Sequence, residues 1–129
     1  MSWDLHLDRL KVETVTEAGI FGLDGSIWAS TEGLKNVTGE QIKILAGESA
    51  AMYSCGPKVG AMKCVMLKDD REDLNSLCLH LKTSAADGNL AVCVGKSIQA
   101  IVLVIGTGAG NQLSIPVYQL VSYLRGVGY

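Results

Sequence analysis

The chain has 129 residues, of which 48% are hydrophobic and 19% charged, and 11 Lys+Arg against 13 Asp+Glu give a net charge of −2. This composition excludes a disordered chain, favours a single domain over residues 1–129, and argues against a generalist nucleic-acid binder, which would carry a strong positive excess. Four cysteines without a Cys-x-x-Cys spacing and only two histidines offer no zinc-ligand pattern, so we expect free thiols, no metal and no other cofactor.

The first predicted elements are a short helix and a hairpin. Ser2 is placed to cap a helix whose apolar face begins with Trp3. The dipeptide Asp24-Gly25 stands between the apolar runs 18–23 and 26–30. An Asp-Gly pair in this setting predicts a two-residue β-hairpin turn.

A second helix and a series of strands follow. Thr38 and Gln41 have the spacing of a capping box, which predicts a helix that stops at Gly47. Beyond residue 58, short apolar or alternating runs predict strands, and their close spacing favours antiparallel hairpins over helical crossovers. The predicted strands are 59–68, 74–82, 90–94 and 98–105, with a solvated acidic turn at 69–73.

A final helix completes the pattern. The glycine-rich segment Gly106–Gly110 precedes a helix predicted from about Ser114, with Pro116 in its first turn. An antiparallel sheet must cover its apolar faces, and the helices at the two ends of the chain are available to do so. We therefore predict an α+β fold in which a central antiparallel sheet carries the N- and C-terminal helices side by side on one face.

Motifs for catalysis or nucleotide binding are incomplete. Val94–Ser97 resembles the end of a phosphate-binding loop, but the required first glycine is replaced by Leu90. Gly106–Gly110 likewise lacks the third glycine of a dinucleotide-binding turn. His80 lies in an alternating strand, where a polar side chain on a sheet face is the simpler interpretation than a general base. The sequence therefore predicts no enzyme and no catalytic residue.

The aromatic residues are concentrated near the two ends of the chain. They are Trp3, Phe21, Trp28, Tyr118, Tyr123 and Tyr129, with Tyr53 alone between them. If the terminal helices are neighbours, four of these side chains converge on one edge and form a groove suited to a polyproline II helix. The alternative, that they only pack the helices onto the sheet, is equally compatible with the residues.

Several segments resemble the profilin family in order and spacing over essentially the whole chain. They are Met1–Trp3, Ala18–Ala29, Asn36–Ile42, Gly60–Val65 and Tyr118–Tyr129, the last most similar to animal profilins. The resemblance implies smaller helices on the second sheet face. It also implies a non-enzymatic, cytoplasmic cytoskeletal protein that binds monomeric actin, promotes its nucleotide exchange and delivers it to proline-rich assembly factors.

The resemblance further implies two separate binding sites. Position 6, commonly Tyr in the family, is His6, whose charge would change near pH 6.5, and position 123, often His in animal forms, is Tyr123. The implied proline groove consists of Trp3, His6, Trp28, Tyr123 and Tyr129. The implied actin surface consists of Tyr53, Lys63, Met66, Lys68, Lys82 and Gln119, although Ser84 and the region 107–119 depart from the usual animal residues.

Two further expectations concern other partners. Phosphoinositide headgroups would be bound only weakly, because few cations are available on a chain of net charge −2. The candidate cations are Lys63, Lys68, Lys82 and Arg125. We expect a monomer; the alternative is a small α+β dimerising scaffold without actin binding, which would bury its aromatic residues at a self-interface. An N-terminal signal and an apolar stretch of bilayer length are both missing from the sequence, which favours the cytoplasm.

Overall fold

The computed structural model describes residues 3–11, 14–47, 57–60, 62–71, 73, 77–84, 88, 90–107 and 110–129, the last range without the side chains of 110–112. Within this part of the chain, seven strands form one antiparallel sheet in the order β2-β1-β7-β6-β5-β4-β3. The strands are β1 (Val15–Gly22), β2 (Ile27–Ser30), β3 (Lys58–Val59), β4 (Met62–Asp70), β5 (Cys78–Thr83), β6 (Ala91–Lys96) and β7 (Ala100–Gly106). The helices are α1 (Trp3–Leu10), a 3-10 turn (Glu32–Leu34), α2 (Gly39–Ala46) and α3 (Gly110–Gly126).

The pairing of β1 with β7 brings an early and a late segment of the chain together within the sheet. Ile20 lies opposite Val102 in this antiparallel ladder. Every residue of β7 is buried, because helices cover the sheet on both faces there. A strand covered on both faces is a continuous apolar run rather than an alternating one, as Ala100–Ile105 is.

The helices divide into two layers, as predicted. Helices α1 and α3 pack on one face, where Leu10, Val117 and Val121 are fully buried against the sheet. The 3-10 turn and α2 cover the other face through Leu34, Ile42 and other apolar side chains. The predicted α+β architecture, with terminal helices on one face and smaller helices on the other, is confirmed.

Gly95 sets how closely α3 approaches the sheet. A Cβ atom at this position would lie 2.5 Å from Val121 and 2.6 Å from Val117. These separations are far below van der Waals contact, so any larger residue would push the helix outward. The glycine therefore allows the C-terminal helix to lie flat on β6.

The capping box of α2 is present, and the other end of the helix is held by Arg71, which directly follows β4. Thr38 and Gln41 exchange the two expected hydrogen bonds. At the C-terminal end, Arg71 donates to the carbonyl oxygens of Leu45 at 2.7 Å and Gly47 at 2.6 Å. Donors at these positions satisfy carbonyls that have no partner within the helix.

Two predicted strands differ from those observed. The predicted strand 59–68 is a hairpin of β3 and β4, because Gly60 adopts a left-handed φ of +60° that turns the chain. The predicted strand 74–82 is β5, Cys78–Thr83, preceded by Leu77 at a φ of +57°; residues 74–76 lie outside the described part. The strands predicted at 90–94 and 98–105 correspond to β6 and β7.

The acidic turn and the last helix also differ from expectation. Asp69 is not a solvated charge, because it accepts hydrogen bonds from the guanidinium of Arg71 at 2.9 Å. Helix α3 begins at Gly110, four residues before the predicted start, so Pro116 is its seventh residue rather than a first-turn residue. The proposed cap at Ser2 lies outside the described residues.

In the part of the chain described, no helix combines the length and apolar character needed to cross a membrane.

Candidate functional site

The side chains expected to line a groove lie together at one edge of the molecule. Trp3, at the start of α1, lies over Trp28 of β2 with ring centroids 4.6 Å apart. The ring of Tyr129 meets both indoles edge-on, at 5.4 Å from Trp3 and 6.2 Å from Trp28. The ring of His6 lies between those of Trp3 and Tyr123, with centroid separations of 5.7 Å and 5.3 Å. We call these five residues the aromatic cluster.

The aromatic cluster is neither buried core nor a set of isolated surface rings. Tyr123 is 41% exposed and Tyr129 is 36% exposed, while Trp3 and Trp28 are half-buried against the apolar core beneath α1 and α3. One side of the cluster therefore packs on the protein and the other faces solvent. Flat rings anchored in this way form a rigid apolar surface with polar tips, which suits ligand binding without large rearrangement.

A hydrogen-bond relay positions the indole of Trp28. Its Nε1–H donates to the Ser26 hydroxyl at 3.1 Å, and that hydroxyl donates to Asp24 Oδ1 at 2.7 Å. Gly22 makes room for the relay, since a Cβ atom there would lie 2.7 Å from both Asp24 Oδ1 and Ser26 Oγ. The β1–β2 turn thus fixes the orientation of the Trp28 ring within the aromatic cluster.

The end of the chain is held against the turn between β6 and β7. Ser97 Oγ donates to the main-chain oxygen of Tyr129 at 2.7 Å, and the main-chain N–H of Gln99 donates to the same atom. Gln99 Nε2 also donates to the Gly128 carbonyl at 2.9 Å. These bonds place the Tyr129 ring beside the two indoles, although Tyr129 lies beyond the last residue of α3.

His6 is the most buried member of the cluster, at 7% exposure, and its Nδ1 has no hydrogen-bond partner among the described residues. Burial, with a smaller contribution from the nearby positive charge of Arg9, lowers the pKa of His6 below its ordinary value of 6.5. The charge of the imidazole is therefore expected to change below pH 6.5 rather than near it.

This lowered pKa has a testable consequence. Because the pKa of His6 is lowered below 6.5, affinity for a proline decamer is expected to change less than about twofold between pH 7.5 and 6.5. The free energy of unfolding should be constant above about pH 6.5 and fall as the pH drops through the lower folded-state pKa, since the unfolded chain then binds more protons. Calorimetric titration and urea unfolding at several pH values measure the two quantities.

The pKa of His80 is lowered too, mainly by burial, so it contributes to the same fall in stability. The variant His6→Phe should reduce the pH dependence of unfolding but leave the part due to His80. A steep loss of decamer affinity between pH 7.5 and 6.5 would contradict the lowered pKa of His6.

A second candidate surface lies on the outer strands, beyond the edge of α3. Lys82 of β5 lies directly opposite Val65 of β4, and Lys63 of β4 lies opposite Lys58 of β3. All four side chains are exposed, Val65 by 64%. Directly opposite residues of an antiparallel pair share a face. We call the exposed side of these three strands the lysine face.

Met66 does not belong to the lysine face. It is only 5% exposed and packs in the core on the α2 side, because it is three residues from Lys63 and side chains alternate along a strand. The expectation that Met66 contacts a partner is corrected accordingly. Lys68 is exposed and opposite His80, since a β-bulge between Met66 and Lys68 shifts the alternation.

The other expected site residues are placed as follows. Gln119 is exposed on α3, and Arg125, in the last turn of that helix, donates to the Lys96 carbonyl at 2.9 Å. Tyr53 lies outside the described residues. Sequence reasoning missed Lys58 and Val65, although the alternation of exposed and buried positions around Lys63 was a signal for Val65.

Catalytic chemistry is not apparent in the described residues. Cys93 Sγ lies 3.6 Å from His80 Nδ1, but burial raises the pKa of the Cys93 thiol to about 12, so the reactive thiolate is not populated. The side chains of Cys64, Cys78 and Cys93 are buried, and Cys55 lies outside the described part. No group of His, Cys, Asp and Glu side chains there is arranged to hold a metal ion.

Comparisons with known proteins agree in their result. The family model described as Profilin matches residues 1–129. Profilin-A of Physarum polycephalum is 33% identical over 137 residues, covering 100% of both chains, and Profilin-1 of Homo sapiens is 26% identical over 133 residues, covering 95% of each. The structure of mouse profilin IIa in complex with a double repeat from the FH1 domain of mDia1 superposes with a TM-score of 0.89, at 25% identity and full coverage of both chains.

Proposed function

The chain belongs to the profilin family, and from this premise we propose that it binds monomeric actin and proline-rich ligands at two separate sites, without catalysing a reaction. The aromatic cluster would bind the proline-rich ligand, and the lysine face would contact actin. The observation that carries the proposal is the convergence of Trp3, Trp28 and Tyr129 from distant parts of the chain.

The geometry of the aromatic cluster suits a polyproline II helix. Such a helix is already extended, has no internal hydrogen bonds and exposes both flat proline rings and free carbonyl oxygens. The half-buried indoles offer faces for the rings, and the exposed residues Tyr123 and Tyr129 carry hydroxyls that can donate to the carbonyls. The mouse profilin IIa complex, which holds a double repeat from an FH1 domain, supports a peptide-binding site on this fold.

The lysine face suits an acidic protein partner. Lys58 and Lys63 lie directly opposite each other, an arrangement that is unfavourable in the isolated protein because like charges repel. An acidic surface would relieve this repulsion, and the exposed side chain of Val65 would add apolar contact at the same place. Family membership makes monomeric actin the proposed partner.

Phosphoinositide binding is proposed to be weak. Of the four candidate cations, Lys68 already pairs with Asp70 at 2.9 Å, and Arg125 is engaged with the Lys96 carbonyl at the end of α3. Lys63, Lys82 and Arg125 are the exposed candidate cations without an ion pair among the described residues. Three cations provide little attraction for an anionic membrane on a chain of net charge −2.

A polyproline column alongside an actin pull-down tests the main proposal. Retention by both is expected, and retention by actin should persist when the protein is saturated with proline decamer, because the two sites share no residues. If the protein is retained neither by the polyproline column nor by actin, the proposal is wrong. A stable dimer on a sizing column, together with no binding to either, would favour the dimerising scaffold.

We also propose a cytoplasmic location, where actin is found.

The variant Lys82→Glu distinguishes the two sites. Reversing the charge beside Val65 on the lysine face should weaken actin binding about fivefold or more and leave decamer affinity unchanged. Lys43→Glu, an equal charge change on the exposed side of α2, is the matched control and should leave both affinities unchanged. Equal losses of both affinities in Lys82→Glu would indicate misfolding and would not support a site-specific role.

A further inference from the structure

The aromatic cluster continues past Trp28 into an open depression of about 340 Å³. The depression lies between the β1–β2 turn, which contributes Asp24 and Ser26, and the β6–β7 turn, which contributes Ile98 and Gln99. Trp28 forms a wall common to the depression and the cluster. Gln99 also connects the depression with the cluster, because its main-chain N–H donates to the main-chain oxygen of Tyr129. A ligand lying along the cluster would therefore reach this depression.

The depression carries a negative charge. Asp24 accepts hydrogen bonds from Ser26 N at 3.0 Å and from Ser26 Oγ at 2.7 Å, both at Oδ1. These bonds lower the pKa of Asp24 below its usual value, so the carboxylate is ionised at neutral pH. A carboxylate has about four acceptor sites on two oxygens, and both bonds from Ser26 fall on the same one. Acceptor capacity therefore remains for a ligand.

The charge is not neutralised within the depression. Among the described lining residues none is a lysine or arginine. Lys43 of α2 is near enough to lower the pKa of Asp24, but its effect is the smallest of those acting on that carboxyl. Ile98, which is 57% exposed, adds an apolar wall. A carboxylate beside an apolar wall matches a side chain with an aliphatic stem and a cationic end.

We propose that this depression binds the side chain of an arginine or lysine that flanks the proline-rich segment, so that the protein selects basic-flanked proline-rich ligands over others. The inference rests on the proposed role of the aromatic cluster as the proline groove. Because a polyproline II helix advances about 3.1 Å per residue, a basic residue within a few positions of the last bound proline would reach Asp24. Arginine is preferred, since its planar group pairs with a carboxylate through two hydrogen bonds.

Peptides with charged flanks test the proposal. We compare a proline decamer with decamers extended by two arginines or two glutamates at either end, using calorimetric titration. The arginine peptide is expected to bind about two- to fivefold more tightly than the plain decamer for at least one end, as for a partly exposed ion pair. This gain should shrink in 0.5 M NaCl because of charge screening. The glutamate peptides should show no gain.

Two variants connect the gain to Asp24. In Asp24→Asn, which keeps an oxygen acceptor for Ser26, the affinity ratio of arginine-flanked to plain decamer should fall to about one. In Glu32→Gln, which removes one negative charge at an exposed position outside the depression, the ratio should stay as in the unmodified protein. The pair separates a local contact from the general attraction of a net-negative protein for cationic peptides.

The outcomes distinguish this inference from the proposed function. If the plain decamer binds but neither arginine peptide binds more tightly, or if the gain persists in Asp24→Asn, the depression is not a basic subsite and the proline groove stands. If the plain decamer does not bind at all, the proposed groove is wrong and the inference that depends on it fails as well.

Discussion

Replacing Trp3 with alanine is expected to reduce affinity for a proline decamer at least about tenfold while changing actin affinity less than twofold. Trp3 contacts three other members of the aromatic cluster, Trp28, Tyr129 and His6, so its removal takes away one ring face and the support of the others. Central aromatic residues of this kind typically dominate binding energy. Calorimetric titration measures the loss without relying on tryptophan fluorescence, which the substitution itself alters.

The matched control for this change lies on the same helix. Leu5 of α1 is 64% exposed and is not a member of the cluster, so Leu5→Ala should preserve decamer affinity within about twofold. Urea unfolding of both variants shows whether α1 remains folded. If Trp3→Ala binds the decamer as well as the Leu5→Ala control does, the aromatic cluster is a packing feature and its proposed role is wrong.

Replacing Arg71 with alanine is expected to lower the free energy of unfolding by about 3 kcal/mol, as for a largely buried, hydrogen-bonded ion pair that loses one partner. The Arg71 side chain is 11% exposed and joins the Asp69 carboxylate to the carbonyls of Leu45 and Gly47. Without it, the end of α2 loses two donors and Asp69 keeps an uncompensated charge. Urea unfolding monitored by circular dichroism measures the change.

Acid titration provides a second test of the Arg71 link. Arg71 lowers the pKa of Asp69 in the folded protein, so the stabilisation is present above the unfolded pKa of about 4 and lost as pH falls through the folded value. Arg71→Ala should remove this part of the acid sensitivity. Lys68→Ala, which breaks the more exposed Lys68–Asp70 pair, should cost no more than about 0.5 kcal/mol. Similar losses in both variants would contradict a special role for Arg71.

Local signals in the sequence were sufficient to predict most of the architecture. Thr38 and Gln41 predict the start of α2 because the capping box is a contact between residues three apart. Asp24-Gly25 predicts the first hairpin, but the turn observed spans residues 23–26 instead of two residues, and only Gly25 has a positive φ, +94°, that favours glycine. The side-by-side placement of α1 and α3 followed from the need to cover an apolar sheet with the helices available.

Features that depend on distant residues were predicted less well. The burial of His6 depends on packing against Tyr123, more than a hundred positions away, so neither its exposure nor its lowered pKa was available from the sequence. The misplacement of Met66 has a different origin. Simple alternation from Lys63 already places Met66 on the opposite face, whereas the bulge that returns Lys68 to the lysine face has no local signal.

The pairing of β1 with β7 has a consequence for how the protein is made. Residues 15–22 leave the ribosome long before their partners at 100–106 are synthesised, so these two strands cannot pair until most of the chain has emerged. Pairings between such distant segments are slow to form because a large loop must be ordered first. During synthesis the apolar β1–β2 hairpin is therefore exposed. Chaperones that hold nascent chains have a long period in which to bind it.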